Sequence, residues 1–200
     1  MNLPNLITLS RVPTLFVVVG LLYAPLHWAA TAAFVLFVAG GITDWLDGYL
    51  ARRFQQVSNF GKLMDALTDK ILFTGLPIAM LVPLRDEPLL PQWCVFPVLV
   101  IVAREFLITG LRLVAASQGL VLAAEKSGKI KTVLLIVSIG ALLLANALNL
   151  DFAAGEKALA FWTMLGLLLF VGAAALTFAS GTGYLIKYWD VFMGRTPPAK

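Results

Sequence analysis

The sequence is poor in charged residues, in cysteine and in histidine. Only 13% of its 200 residues are charged, 60% are hydrophobic, and the mean hydropathy is +0.90. This composition excludes an ordinary soluble domain and is typical of a membrane protein, which buries its apolar faces against lipid and neighbouring helices. The single cysteine, Cys94, excludes an intrachain disulfide, and we interpret it as a small core residue. The single histidine, His27, lies beside Trp28, which favours an interfacial side chain over a metal ligand.

Long apolar runs suggest how the chain is organised. A transmembrane helix needs about 20 mainly apolar residues. The pattern therefore predicts an all-α integral membrane protein with six transmembrane helices, folded as a single domain over residues 1–200 with a flexible tail from about 190. The opening residues, Asn2 to Arg11, predict either a helix lying on the membrane surface or a polar lead-in to the first span. The six predicted spans are about 9–24, 28–52, 65–84, 92–116, 128–149 and 157–182.

The distribution of basic residues predicts the orientation of these spans. Lysine and arginine are concentrated in residues 52–62, in residues 117–131 and near the C-terminus. Short loops rich in these residues face the cytoplasm, so an even number of spans places both termini there. Three tryptophans near the opposite span ends fit an aromatic belt: Trp28, Trp93 and Trp162.

Four of the eleven acidic residues lie in one short window of this apolar chain: Asp44, Asp47, Asp65 and Asp69. A carboxylate at the middle of a membrane helix costs about 2.5–3.5 kcal/mol on insertion scales, so four of them require compensation. The spacings i, i+3 and i, i+4 put each pair on one helix face. If spans two and three are antiparallel neighbours, both pairs come to about the same depth. Hard divalent cations take oxygen ligands, and two of them can clamp a diphosphate, so we predict a two-metal site.

Small and basic residues interleave with these acids. Gly48 and Gly61 leave room for a ligand, and Arg52 offers its planar guanidinium group to a phosphate oxygen.

Two alternatives to a metal site remain for the four aspartates. They could pair with nearby arginines and lysines at a solvated helix end, or they could bind a cation that a transporter carries. We find neither the interrupted helices nor the repeated halves that are typical of transporters. A metal-dependent prenyl diphosphate enzyme also uses aspartate clusters, without requiring this spacing.

The whole window has the pattern D-x2-D-G-x2-A-R-x8-G-x3-D-x3-D. It resembles the signature of the CDP-alcohol phosphotransferases and matches every fixed position, Ala51 included. The resemblance implies a six-helix membrane fold that is usually homodimeric. It implies two Mg²⁺ or Mn²⁺ ions held by the four aspartates, with Asp69 as general base. It also implies that the cytidine diphosphate site is lined by Asp44, Gly48, Arg52, Gly61 and Asp65.

A second, basic group of residues bears on the acceptor. Arg104 and Arg112 lie eight residues apart in span four, about 80° apart around a helix, and arginine inside a span suggests a functional site. Lysines follow at the entry to span five. We predict that the five cations bind an acceptor phosphate. The alternatives are an ion pair with Glu105 for the arginines, and a solvated, headgroup-facing loop for the lysines. The lysines are Lys126, Lys129 and Lys131.

Motifs in residues 2–11, 103–112 and 128–132 also resemble the bacterial phosphatidylglycerophosphate synthases, a branch of the same family. This resemblance implies transfer of a phosphatidyl group from CDP-diacylglycerol to sn-glycerol 3-phosphate, with release of CMP, in the bacterial inner membrane. Inositol phosphate, or phosphatidylglycerol in cardiolipin synthesis, remains an alternative acceptor. We expect no nucleic-acid partner.

Overall fold

The computed structural model describes residues 3–53, 59–83, 87–117, 127–189 and 193. Within those ranges the chain forms six α-helices, and a short 3₁₀ turn, Gln92–Cys94, precedes the fourth. The predicted all-α, six-helix architecture is confirmed. The helices are α1 (Leu3–Tyr23), α2 (Ala29–Arg53), α3 (Asn59–Met80), α4 (Val95–Ser117), α5 (Ser127–Leu150) and α6 (Glu156–Lys187).

Several helices extend beyond the spans that hydropathy predicts. α1 begins at Leu3, α3 begins at Asn59 and α6 continues to Lys187. Backbone hydrogen bonding does not stop where the side chains become polar, so hydropathy marks the lipid boundary better than the helix end. The opening residues from Leu3 onward therefore belong to α1 and not to a separate surface helix.

The apolar character of the helices agrees with a membrane protein. Three segments are long and apolar enough to cross a bilayer: Gln92–Ser117, Lys129–Leu150 and Glu156–Lys187. Among the described residues, the other helices contribute shorter apolar stretches. Large apolar side chains on the outer faces are exposed, as lipid contact requires, since lipid tails solvate them as well as a protein core does. They include Phe16, Phe96, Phe106, Phe161, Leu168 and Phe178.

Close helix packing determines which helices are neighbours. α1 packs against α2 and α3, α2 also packs against α5, and α5 packs extensively against α6. At the α5–α6 contact, a Cβ added to Gly166 would lie 2.6 Å from Leu142 Cγ, so only glycine permits this approach. The Ser138 hydroxyl donates to the Gly166 carbonyl at 2.8 Å across the same contact. Small residues let membrane helices approach closely, and a hydroxyl bond across them adds to the packing.

The loop between α5 and α6 caps the start of α2. Asp151 Oδ2 accepts hydrogen bonds from the Thr31 backbone N–H at 2.7 Å and from the Thr31 hydroxyl at 2.6 Å. Its Oδ1 accepts one from the Trp28 N–H at 3.2 Å. Trp28 has a positive φ of 64°, at the turn that leads into α2. The carboxylate therefore satisfies backbone donors that the first turn of a helix leaves without intrahelical partners.

Candidate active site

The acidic signature lies at the end of α2 and the beginning of α3. Asp44 and Asp47 belong to α2, and Asp65 and Asp69 belong to α3. The helical backbone preserves the i, i+3 and i, i+4 spacings, so each pair shares a helix face. The placement of their side chains lies outside the described part of the structure. The same holds for the side chains of Ala51 and Arg52 and for the surroundings of Gly48 and Gly61, which also occupy α2 and α3.

The two helices are arranged around α1. Among the residues that the structure describes, α2 and α3 contact α1 and not each other. The direct pairing assumed in the sequence-based prediction is therefore not seen in that part of the chain. On the α1–α3 side the contact is tight, since a Cβ added to Gly75 would lie 3.0 Å from Leu15 Cδ2. The three helices also border a cavity.

This cavity, of about 560 Å³, is mainly apolar and is lined by α1, α2, α3, α5 and α6. Its polar lining residues are Ser10, Arg11 and Thr14 of α1 and Thr43 of α2. Thr43 directly precedes Asp44, so the cavity reaches the acidic signature. Trp162, near the start of α6, also lines it. The cavity can therefore hold an apolar chain.

The chemistry of the aspartate set suits divalent metal ions. Four carboxylates on two helices provide the oxygen ligands that Mg²⁺ and Mn²⁺ prefer. Among the residues with described side chains, no group of three or more histidine, cysteine, aspartate or glutamate residues could hold a metal ion. The four aspartates lie outside that set, and the aspartate signature remains the candidate metal site.

A cluster of charged side chains links α4 to α5. Glu105 Oε1 accepts a hydrogen bond from Arg104 Nη1 at 3.0 Å and forms a short ion pair with the Lys131 ammonium. These side chains are largely buried, with exposed fractions of 16% for Arg104, 18% for Glu105 and 9% for Lys131. The expected pairing of Glu105 with arginine is present, but it takes in Lys131 as well. Two cations thus share one carboxylate, which leaves a net positive charge.

This charge cluster lies close to the acidic signature. Lys70 of α3 interacts electrostatically with both Glu105 and Lys131. Lys70 directly follows Asp69 along the chain. The residue that follows Asp69 therefore interacts with this cluster, whose net positive charge suits an anionic acceptor.

The remaining predicted cations are distributed differently. Arg112 is exposed, and its Nε donates to the hydroxyl of Tyr184 on α6 at 3.4 Å. Lys129 is also exposed, near the start of α5. Lys126 lies outside the described residues. The structure thus brings Arg104 and Lys131 together through Glu105, while Arg112 is held by α6.

The sequence profile of the family described as CDP-alcohol phosphatidyltransferase matches residues 1–181, which include the whole signature. The chain belongs to the CDP-alcohol phosphatidyltransferase family. Three bacterial relatives carry the name CDP-diacylglycerol–glycerol-3-phosphate 3-phosphatidyltransferase. The Bacillus subtilis protein is 40% identical over 94% of this chain and 96% of its own length. The proteins from Pseudomonas fluorescens and Escherichia coli K12 are each 33% identical, over 94% and 92% of this chain and 91% and 93% of their own lengths.

Sequence reasoning did not identify the contribution of α6 to this region. Gly181 and Tyr184 contact the two arginines of α4, yet neither belongs to a recognisable motif. The local signal was limited to a tyrosine just beyond residue 182, where the sixth predicted span ends. Likewise, nothing local indicated that Glu105 would also bind Lys131, 26 residues further along the chain.

Proposed function

We propose that this protein transfers the phosphatidyl group of CDP-diacylglycerol to sn-glycerol 3-phosphate, which gives phosphatidylglycerophosphate and CMP. The observation that carries this proposal is the position of the signature. It occupies the ends of two helices that border an apolar cavity, and Thr43 lines that cavity immediately before Asp44. The three relatives named CDP-diacylglycerol–glycerol-3-phosphate 3-phosphatidyltransferase, at 33–40% identity over more than 90% of the chain, favour the same donor and acceptor.

The donor would bind with its lipid and nucleotide parts on different surfaces. One acyl chain would lie in the apolar cavity, because Phe34, Phe37 and Phe73 provide walls without a competing polar group. The cytidine diphosphate would lie against the signature, with Arg52 contacting a phosphate oxygen. Its other proposed contacts are Asp44, Gly48, Gly61 and Asp65. The cytidine diphosphate could approach the backbone closely at Gly48 and Gly61, because neither residue has a side chain.

The four aspartates would hold two Mg²⁺ or Mn²⁺ ions. When bound, such ions neutralise the charge of the diphosphate and stabilise its entering and leaving oxygens. The positions of the ions, and through them the depth of the diphosphate in the membrane, would be set by Asp44, Asp47, Asp65 and Asp69. The number and identity of the ions form part of the proposal.

Asp69 would act as the general base. Its carboxylate would take the proton from the 1-hydroxyl of sn-glycerol 3-phosphate as that oxygen attacks the lipid-linked phosphorus. One P–O bond forms to the glycerol oxygen, and the P–O bond to CMP breaks. The proton remains on Asp69 until solvent removes it, and the bonding electrons leave with CMP.

The cation cluster would hold the acceptor phosphate. Arg104 and Lys131 already share Glu105, and their excess positive charge favours an anion nearby. Arg112 presents the remaining guanidinium edge beyond its bond to Tyr184, a geometry suited to phosphate oxygens. Lys126 and Lys129 would add attraction at the entrance. This arrangement favours a phosphorylated alcohol over an uncharged one.

A direct test follows CMP release by detergent-purified protein supplied with CDP-diacylglycerol and Mg²⁺. Reactions with sn-glycerol 3-phosphate, inositol phosphate, phosphatidylglycerol or no acceptor run in parallel. We expect wild-type protein to release CMP only with sn-glycerol 3-phosphate, and we expect Asp69→Asn to release none. Asp151→Asn, at the opposite end of the bundle, is the matched control and should remain active. Release with another acceptor alone would overturn the acceptor. No release with any acceptor, from folded protein, would overturn the reaction.

We further propose that the protein lies in the bacterial inner membrane as a homodimer, with both termini and the active site on the cytoplasmic side. Cysteines introduced into a Cys94→Ala background test the orientation. In spheroplasts, an impermeant maleimide should label Gly155→Cys in the α5–α6 loop and spare Ser117→Cys at the end of α4. The opposite labelling would contradict the orientation. Mass measurement in nanodiscs tests the dimer, and a single-chain mass would exclude it.

A further inference from the structure

One turn of α6 faces both arginines of α4. Gly181 and Tyr184 are three residues apart, so they lie on the same side of that helix, and both are buried. Gly181 is next to Arg104, and Tyr184 is next to Arg112. Among the described residues, α4 makes its most extensive helix contact with α6. The position of these arginines therefore depends on this turn.

Gly181 provides the space that the stem of Arg104 occupies. A Cβ at position 181 would lie 2.7 Å from Arg104 Cγ and 3.7 Å from both its Cβ and its Nε. The closest atom belongs to the stem and not to the flexible tip, so the arginine could not relieve the clash by rotating its guanidinium alone. Arg104 Nε is buried and, among the described residues, has no hydrogen-bond partner. Packing against Gly181 therefore helps to position the stem of Arg104, whereas its hydrogen bond to Glu105 holds only the guanidinium tip.

Tyr184 restrains Arg112 in a different way. Its hydroxyl accepts the hydrogen bond from Arg112 Nε, and the guanidinium carbon lies 5.6 Å from the centroid of its ring. The ring is only 1% exposed, and it packs among Ile108, Leu111 and Ala115. Arg112 itself is exposed, so a fixed partner removes conformational freedom that a long side chain would otherwise keep. A bond at Nε leaves both terminal nitrogens available to a ligand.

We propose that Gly181 and Tyr184 are positioning residues that align Arg104 and Arg112 for the acceptor phosphate. This inference rests on the proposed function, because it assigns the phosphate to those arginines. It adds that the last helix, through the space at Gly181 and the hydroxyl of Tyr184, sets the affinity for the acceptor. Neither residue touches the reacting atoms.

The test compares two single variants, each with its own matched control. Gly181→Ala is paired with Gly183→Ala, where a Cβ would meet nothing within 4 Å. Tyr184→Phe is paired with Tyr188→Phe, whose ring lies 4.7 Å from that of Tyr184 and beside Lys187. KM and kcat are measured separately for sn-glycerol 3-phosphate and for CDP-diacylglycerol, and melting temperature reports folding.

We expect the acceptor KM to rise about 10- to 100-fold in Gly181→Ala, since displacement of a positioning group by about 1 Å can have that effect. In Tyr184→Phe we expect a rise of about fivefold, because one hydrogen bond to a charged group is lost while the ring remains. The KM for CDP-diacylglycerol should stay within about twofold of wild type, and both controls should behave as wild type. A general loss of structure would instead lower kcat and the melting temperature without selecting one substrate.

Double variants decide whether the effect acts through the arginines. In an Arg104→Ala background, Gly181→Ala should raise the acceptor KM no further, and in an Arg112→Ala background the same should hold for Tyr184→Phe. Additive effects, or an unchanged KM in folded Tyr184→Phe and Gly181→Ala, would overturn the inference. If Gly181→Ala fails to fold, the near-isosteric Tyr184→Phe and its double variant decide. Wild-type protein in the same assay reports separately on the proposed function, since it must release CMP in response to sn-glycerol 3-phosphate.

Discussion

Asp151 offers the most closely defined test of how the bundle is held together. Its carboxylate accepts three hydrogen bonds from the start of α2, at 2.6, 2.7 and 3.2 Å. Capping of a helix by such a group stabilises a protein by about 0.5–2 kcal/mol, and a negative charge at a helix N-terminus adds about 0.3–1 kcal/mol. We therefore expect Asp151→Ala to lower the free energy of unfolding by about 2 kcal/mol. For a chain of this size that corresponds to a decrease in melting temperature of about 4–8 °C.

Asp151→Asn separates the charge from the shape. The amide oxygen can still accept hydrogen bonds from Thr31, but the amide nitrogen cannot accept one from the Trp28 N–H. We therefore expect Asp151→Asn to lower the free energy of unfolding by about half as much as Asp151→Ala. Both variants should retain wild-type KM values below their melting temperatures, because Asp44 lies thirteen residues, about 20 Å, further along α2 from Thr31. Differential scanning fluorimetry in lipid nanodiscs measures the shift, and Asp151→Ala melting like wild type would refute the capping role.

The pH dependence of this contribution has a definite sign. Burial alone would raise the pKa of Asp151, but the hydrogen bonds from Thr31 and Trp28 outweigh it and hold the pKa below the ordinary value of 3.8. A carboxyl whose pKa is lower in the folded state contributes fully above its unfolded pKa and loses that contribution as pH falls through the folded pKa. The difference in stability between wild type and Asp151→Asn should therefore be constant near neutral pH and shrink below about pH 4. A difference that grows on acidification would contradict this assignment.

Three further predictions concern the active site. Asp69→Asn should still bind CDP-diacylglycerol in an equilibrium binding assay but lose turnover, and substantial residual turnover would exclude it as the base. Glu105→Gln should lower stability by about 2 kcal/mol, less than the loss of a fully buried pair because the carboxylate keeps 18% exposure. Added sn-glycerol 3-phosphate should raise the melting temperature of that variant more than it raises that of wild type, and Glu156→Gln serves as the control. An equal rise in both proteins would contradict the anion site. Gly140→Leu, at the cavity wall, should raise the KM for long-chain CDP-diacylglycerol more than for a short-chain donor, and an equal rise for both would place the acyl chain elsewhere.

Much of the reaction site could be predicted from the sequence because its determinants are local. The four aspartates lie within 26 residues, and their spacing depends only on helical periodicity. The backbone of α2 and α3 is helical there, so the i, i+3 and i, i+4 relations hold. The roles of these residues remain predictions, as do those of Lys126 and Lys129.

Hydropathy also indicated the number of helices, although it located their ends less well. The span predicted at 65–84 corresponds to α3, which begins earlier, at Asn59. The span predicted at 157–182 corresponds to α6, which ends later, at Lys187. An apolar run is detected because each residue contributes its own transfer free energy, whichever helices surround it.

The contacts of the two arginines with α6 were decided by tertiary structure alone. Within a membrane helix such as α6, lipid-facing and protein-facing residues are equally apolar, so no periodic contrast marks the face that meets α4. Gly181 and Tyr184 became significant only when packing placed them against Arg104 and Arg112. The sequence by itself determined the chemistry of the acidic signature and the membrane class, through local spacing and composition. The helix neighbours, and with them the geometry of the proposed acceptor site, depended on contacts between residues far apart in the chain, which no local pattern encodes.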